Sequence, residues 1–180
     1  TPFGRYIEDE EGAQVCVSSW RRVDDTALPP RGKLVGSYVN SALIKSEAVL
    51  NGFAEAIVLN QDGHVAEGSA ENVFLVRGDV LITPPVYANV LEGITRRTVM
   101  DLVQREMGLQ VVEREIDRSE LYVADEAFFC GTGVQVVAIA SVDHRPVGSG
   151  RIGPVTKQLR EIYFRVVRGQ EPKYTHWLTP

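Results

Sequence analysis

The chain has 180 residues, with 19 Lys and Arg against 24 Asp and Glu, and its formal net charge of −5 argues against a general binder of nucleic acid or other polyanions. With 44% hydrophobic and 24% charged residues it is expected to be a soluble globular protein, long enough for one sizeable domain or one domain with part of another. No apolar run is long enough to span a bilayer and the N-terminus shows no signal-peptide pattern, so no membrane partner is expected.

In chain order, Thr1 to Tyr6 reads as a connector and Glu8 to Glu11 as a short acidic loop. Ala13 to Trp20 alternates apolar and polar residues like a strand. Asp24 to Lys33 contains Pro29, Pro30 and Gly32 and reads as an ordered loop. Tyr38 to Asn51 is an amphipathic helix closed by Gly52. Ala54 to Leu59 and His64 to Glu67 flank the turn signal Gln61-Asp62-Gly63, and Asn72 to Arg77 and Val80 to Thr83 flank Gly78-Asp79, two predicted hairpins. Pro84 and Pro85 end that sheet segment, because proline donates nothing to a ladder.

Gly93 to Glu106 has helical periodicity and stops at Gly108. Leu109 to Ile116 reads as a strand and Ser119 to Tyr122 as a short capped helix. Ala127 to Cys130 and Val134 to Ala140 are strand candidates on either side of Gly131-Thr132-Gly133. Asp143 to Gly150 is a turn, Pro154 opens a last helix to Gly169, and Trp177 lies in a short tail. Strand pairs alternating with helices predict an α+β fold with a mixed or antiparallel sheet.

Cys16 and Cys130 are far apart with no paired-ligand spacing, which suits buried thiols in a reducing, cytoplasmic setting. His64, His144 and His176 form no ligand pattern, so no metal is expected. Neither GxGxxG nor GxxxxGK[ST] occurs.

Four stretches offer chemistry. Lys33 stands between Gly32 and Gly36 and is followed by Leu34 and Val35, a segment with little room for a solvated charge. An amine in partly apolar surroundings shifts towards the neutral, nucleophilic form that Schiff-base chemistry requires, although the segment equally suits a surface lysine before a helix. Glu67 and Glu71 are either a carboxylate pair for acid/base work or turn and cap residues. Gly93-Ile94-Thr95 at a helix start is either a phosphate cradle of free N–H groups and a hydroxyl, or an ordinary threonine cap. Gly131-Thr132-Gly133 is an anion-binding turn or a plain one.

In their order and spacing, Lys33, Tyr38, Glu67, Gly93-Ile94-Thr95 and Gly131-Thr132 resemble the motif series of the branched-chain amino acid aminotransferases. These are class IV pyridoxal-phosphate enzymes whose fold is shared with D-amino acid aminotransferases and aminodeoxychorismate lyases. The resemblance extends through Ser18 to Arg22, Gly32 to Ser41, Glu67 to Asn72, Thr83 to Pro85, Leu91 to Arg96, Leu121 to Glu126, Gly153 to Lys157 and His176 to Leu178.

The resemblance implies pyridoxal 5'-phosphate as cofactor, with pyridoxamine 5'-phosphate as its aminated form. Lys33 corresponds to the lysine that carries the cofactor and shuttles a proton, and Glu67 to the carboxylate facing the pyridine nitrogen. Tyr38 corresponds to the residue bonded to the phenolic oxygen. Gly93, Ile94, Thr95 and Thr132 would hold the phosphate, and Thr132 with Gly133 would meet the substrate carboxylate. The implied substrates are leucine, isoleucine or valine and 2-oxoglutarate, the implied assembly a homodimer or larger, and the implied alternatives the other two activities of the fold.

Two departures accompany this. Gly133, Val134 and Gln135 stand where the family commonly has small alanines and an acidic residue. The family also has a smaller N-terminal domain ahead of Thr1. The expected layout is therefore a connector over residues 1–12 and the large cofactor-binding domain over 13–180, either as a portion of a longer enzyme or as a non-catalytic fragment.

Overall fold

The computed structural model describes residues 11–178; most of the expected connector, including the acidic loop from Glu8, lies outside them. One mixed sheet runs through these residues. Its strands are β1 (Ala13–Arg21), β2 (Glu55–Leu59), β3 (Val65–Gly68), β4 (Asn72–Arg77), β5 (Val80–Thr83), β6 (Gln110–Glu113), β7 (Glu126–Gly131), β8 (Gln135–Val142) and the short β9 (Arg145–Pro146). The order is β3-β2-β1-β8-β7-β4-β5-β6, with β9 paired to β8. The β1–β2, β1–β8 and β5–β6 pairs are parallel, and β2–β3, β7–β8, β4–β7, β4–β5 and β8–β9 antiparallel. This is the predicted α+β architecture with a mixed sheet.

Central strands are apolar on both faces because both are covered. In β4, Val73 and Leu75 join Phe129, Ile116, Leu121 and Ile139 in one core. Phe74 and Val76 point the other way and pack with Phe128 of β7 and with Val99, Leu102 and Leu159 from α2 (Ile94–Leu102) and α3 (Pro154–Val167). Towards the β3 end, Ile44 and Ala48 of α1 (Tyr38–Leu50) cover Cys16, Ala56, Val58 and Ala66. Both cysteines are buried and free.

Side-chain capping fixes the start of α3. The buried Glu126 carboxylate accepts the N–H groups of Val155 (2.9 Å) and Thr156 (2.8 Å) and the Thr156 hydroxyl (2.7 Å). A Cβ at Gly153 would collide with that carboxylate, so this close approach requires glycine. Pro154 occupies the first turn, as predicted.

Several boundaries differ from expectation. The strand expected over 109–116 is β6, four residues long, because Arg114 onwards leaves the ladder. The 118–122 turn is capped by Asp117 rather than Ser119; Asp117 and Glu120 form a reciprocal capping box. The helix from Ile94 widens into a π turn over Val103–Met107 before Gly108 stops it in the left-handed region. Trp177 belongs to a 3-10 turn, Pro172–Trp177, which docks Tyr174 and Trp177 onto the second core.

Candidate active site

A cavity of about 1140 Å³ opens between the start of α1, the end of β3, the start of α2 and the β7–β8 turn. Lys33, Tyr38, Glu67, Gly93, Ile94, Thr95, Thr132 and Gly133 all line it. Every site residue singled out in the sequence is thus gathered around one space. Among the described residues no cluster of His, Cys, Asp or Glu is arranged to hold a metal ion.

Lys33 is set by backbone geometry. Pro30–Gly32 forms one 3-10 turn and Val35–Ser37 a second, with Lys33 between them at φ 46°, its N–H donating to the Pro30 carbonyl. Lysine, rather than its neighbouring glycine Gly32, therefore takes the left-handed conformation, which costs roughly 1 kcal/mol. The expected apolar enclosure is absent among the described residues: Lys33 is exposed, because Leu34 and Val35 also turn outward. No carboxylate there pairs with its amine.

Glu67 is buried at the opposite wall. A bulge in β3 aims it: Leu59 pairs with Val65 and Val58 with Glu67, leaving Ala66 as the extra residue. The Arg22 guanidinium meets Glu67 Oε1 at 2.8 Å and reaches the Ser41 hydroxyl at 3.1 Å. Glu67 Oε2 accepts the Leu91 N–H (3.0 Å) and the Asn72 amide (3.2 Å). Burial pushes the Glu67 carboxyl up to about 7 against the opposing pull of Arg22 and these hydrogen bonds. Glu71, expected as either an acid/base partner or a turn residue, lies under the same turn and accepts the Ala70 N–H at 3.1 Å. Burial first, then the Glu55 charge, raises it to about 8.

These two acids give cofactor-free protein a signed pH dependence. A carboxyl whose folded pKa lies above its unfolded value of 4.5 adds stability below that value and loses it as pH rises through the folded pKa. Stability is therefore expected to fall between pH 4.5 and 8, with Glu55, Glu67 and the Lys45 ammonium all acting on Glu71. Glu71→Gln is expected to remove on the order of 2 kcal/mol of that fall. Denaturant titrations at pH 5 and 8.5 read this directly; equal falls in wild type and variant would contradict it.

The start of α2 is an anion site by construction. Its first intrahelical bond runs from the Arg97 N–H to the Gly93 carbonyl, which leaves the Ile94, Thr95 and Arg96 N–H groups ahead of it. Gly93 is the N-cap and no side chain caps the helix, so the threonine-cap alternative is not what forms. Tyr163 of α3 packs into the same core as Val99 and Leu102 of α2. Gly93 must be glycine because a Cβ there would strike the Asn72 amide oxygen, which is fixed by an Nδ2 bond to the Leu91 carbonyl (2.8 Å). Facing this start, Thr132 and Gly133 are exposed in the β7–β8 turn, which closes on Gln135 at φ 63°.

The charges do not cancel. Arg22 is matched by Glu67, and Arg31 by Asp25 (3.2 Å) and Glu92 (2.6 Å). Burial and the neighbouring Glu55 charge disfavour the ionised form of Glu71. Lys33 and Arg160 remain without carboxylate partners among the described residues. The chamber is therefore cationic within an acidic protein and selects anions. Arg22, Asn72 and Arg160 were not picked out as site residues from sequence; Arg22 and Asn72 fell inside matched motifs, whereas Arg160 carried no signal.

A family model for class IV amino-transferases matches residues 2–142. A probable branched-chain-amino-acid aminotransferase of Aquifex aeolicus is 51% identical over 178 residues, covering 99% of this chain and 57% of its own. The branched-chain-amino-acid aminotransferase of Escherichia coli K12 is 39% identical over 180 residues, covering 98% and 58%. Among solved structures, the branched-chain amino acid aminotransferase of Thermobaculum terrenum in its PLP form superposes with a TM-score of 0.95 at 46% identity, covering 99% of this chain and 58% of that one. The branched-chain aminotransferase of Thermoproteus uzoniensis with norvaline gives 0.95 and 46%, covering 100% and 59%. The chain thus spans about 58% of the length of such relatives.

Proposed function

This chain belongs to the class IV aminotransferase family, and from that premise we propose that the protein containing it is a pyridoxal-phosphate-dependent branched-chain aminotransferase. It would move the amino group of leucine, isoleucine or valine to 2-oxoglutarate. The observation that carries this reading is one cavity shared by an amine with no carboxylate partner among the described residues, an arginine-clamped carboxylate and a bare helix start. The names of the relatives support it independently.

The residues fit the cofactor. The bare N–H groups at Ile94 and Thr95, with Thr132, suit a phosphate monoester. Lys33 suits an aldehyde, Tyr38 lies close by at the α1 start to meet a phenolic oxygen, and buried Glu67 suits a protonated ring nitrogen. When bound, pyridoxal phosphate supplies an aldehyde carbon and an electron-withdrawing ring that stabilises negative charge at the substrate α-carbon.

The chain's own groups supply the rest. Lys33 Nζ would hold the aldehyde end and, once the substrate amine has displaced it, would take the proton from the substrate α-carbon. Glu67 keeps a negative charge against the ring nitrogen, and a proton held there supplies the cation that draws Glu67 back towards its ionised form. Arg22, Ser41, Asn72 and the Leu91 N–H hold Glu67 in one orientation, so no reorganisation is needed during turnover. Thr132 and Gly133 would meet the substrate carboxylate. A homodimer or larger assembly and a cytoplasmic location complete the proposal.

The test compares turnover of L-leucine, D-alanine and aminodeoxychorismate by the full-length protein. L-leucine is expected to exceed the others in kcat/KM by at least about 100-fold, a margin of roughly 3 kcal/mol. Preference for D-alanine or the lyase substrate, or no turnover of any, would contradict the proposal.

A further inference from the structure

Of the two cavity cations that the mechanism above does not use, Arg31 is paired with Asp25 and Glu92, which leaves Arg160. It stands half-buried on α3 and lines the same cavity as Thr95, Thr132 and Gln135. Three residues on, Tyr163 packs into the core shared with Val99 and Leu102 of α2, and four residues on, Phe164 also lines the cavity. Positions i, i+3 and i+4 share one helix face, so the face that packs α3 on α2 also presents Arg160 to the chamber. Buried arginines elsewhere are matched, Arg22 by Glu67 and Arg96 by Glu113 at 2.6 Å. Arg160 has no such partner among the described residues, and a partly desolvated guanidinium without one is held ready for an anion.

We infer that Arg160 is an anion-binding residue of this chamber, contributing a charge-assisted contact to the phosphate group received by the start of α2 and Thr132. The inference rests on the proposed function and adds a residue to it. A substrate carboxylate has the same chemistry, but the helix bearing Arg160 packs through Leu159 and Tyr163 against Val99 and Leu102 of α2, whose start forms the phosphate cradle.

The test is equilibrium titration of the full-length, cofactor-free protein with pyridoxal 5'-phosphate, with unphosphorylated pyridoxal and with inorganic phosphate as competitor, followed by absorbance. Arg160→Gln is expected to weaken pyridoxal phosphate and inorganic phosphate about tenfold while changing pyridoxal by less than about twofold, and Arg160→Lys to recover part of the loss. Unchanged affinity for pyridoxal phosphate in R160Q overturns the inference, and so does equal weakening of both aldehydes. A raised KM for 2-oxoglutarate with cofactor affinity intact assigns Arg160 to the substrate carboxylate and overturns it too. If wild-type protein binds no pyridoxal phosphate, the proposed function itself fails, which is a distinct result.

Discussion

Lys33→Ala is expected to lower kcat for leucine transamination by the full-length protein at least about 10⁴-fold, because one residue serves as both covalent anchor and proton carrier. The fold should survive. Lys33 is exposed, its side chain has no carboxylate partner among the described residues, and alanine tolerates the left-handed region about as poorly as lysine. A change in unfolding free energy within about 1 kcal/mol is expected. Lys33→Gly sharpens the comparison: it should be equally inactive but no less stable, since glycine takes φ 46° without strain. Steady-state kinetics and denaturant titration of the same preparations check both halves. Residual activity above about 1% of wild type would remove Lys33 from the chemistry.

Glu67→Gln is expected to cut kcat about 10²- to 10³-fold and also to destabilise the protein at pH 7, by only about 1 kcal/mol because burial already disfavours the charged form of Glu67. The two effects have separate causes. Catalysis falls because a neutral amide no longer favours a protonated ring nitrogen. Stability falls because Arg22, nearly inaccessible to solvent, loses the one carboxylate it meets among the described residues and keeps a hydroxyl contact to Ser41 through its guanidinium. The double variant Arg22→Met, Glu67→Gln separates them, since removing both charges should restore most of the stability and none of the activity. Recovery of activity in the double variant would show that Glu67 matters only as the partner of Arg22.

Much of the fold was legible because local rules and tertiary packing agree. The β4–β5 hairpin has the predicted bounds, since Gly78-Asp79 between two β-rich runs leaves little choice. The helix from Pro154 started where proline at a first turn said it would. Legibility failed where a long-range contact decides. Strict alternation would put Glu67 on the same face as Val65, and only the bulge at Ala66, set by pairing with β2, turns it towards Arg22. Arg22 itself reads as a surface residue in sequence, because arginine is seldom buried without a partner that is distant along the chain.

The site shows the same division. The flanking glycines drew attention to Lys33, but nothing local showed that Lys33 itself takes the left-handed backbone. The bare start of α2 was readable as a cradle or a cap, and the structure makes Gly93 rather than Thr95 the N-cap. Arg160 had no local signature, since its meaning comes from a helix crossing made by residues more than 60 positions away. Resemblance supplied the roles; packing supplied their orientation.

The measurement that bears most directly on the account is borohydride reduction of the full-length protein saturated with pyridoxal phosphate, followed by peptide mass mapping. The account predicts one reduced cofactor per chain, attached to the peptide containing Lys33, with the visible absorbance lost in step. Attachment at Lys45 or another lysine, or no stable attachment at all, would contradict it.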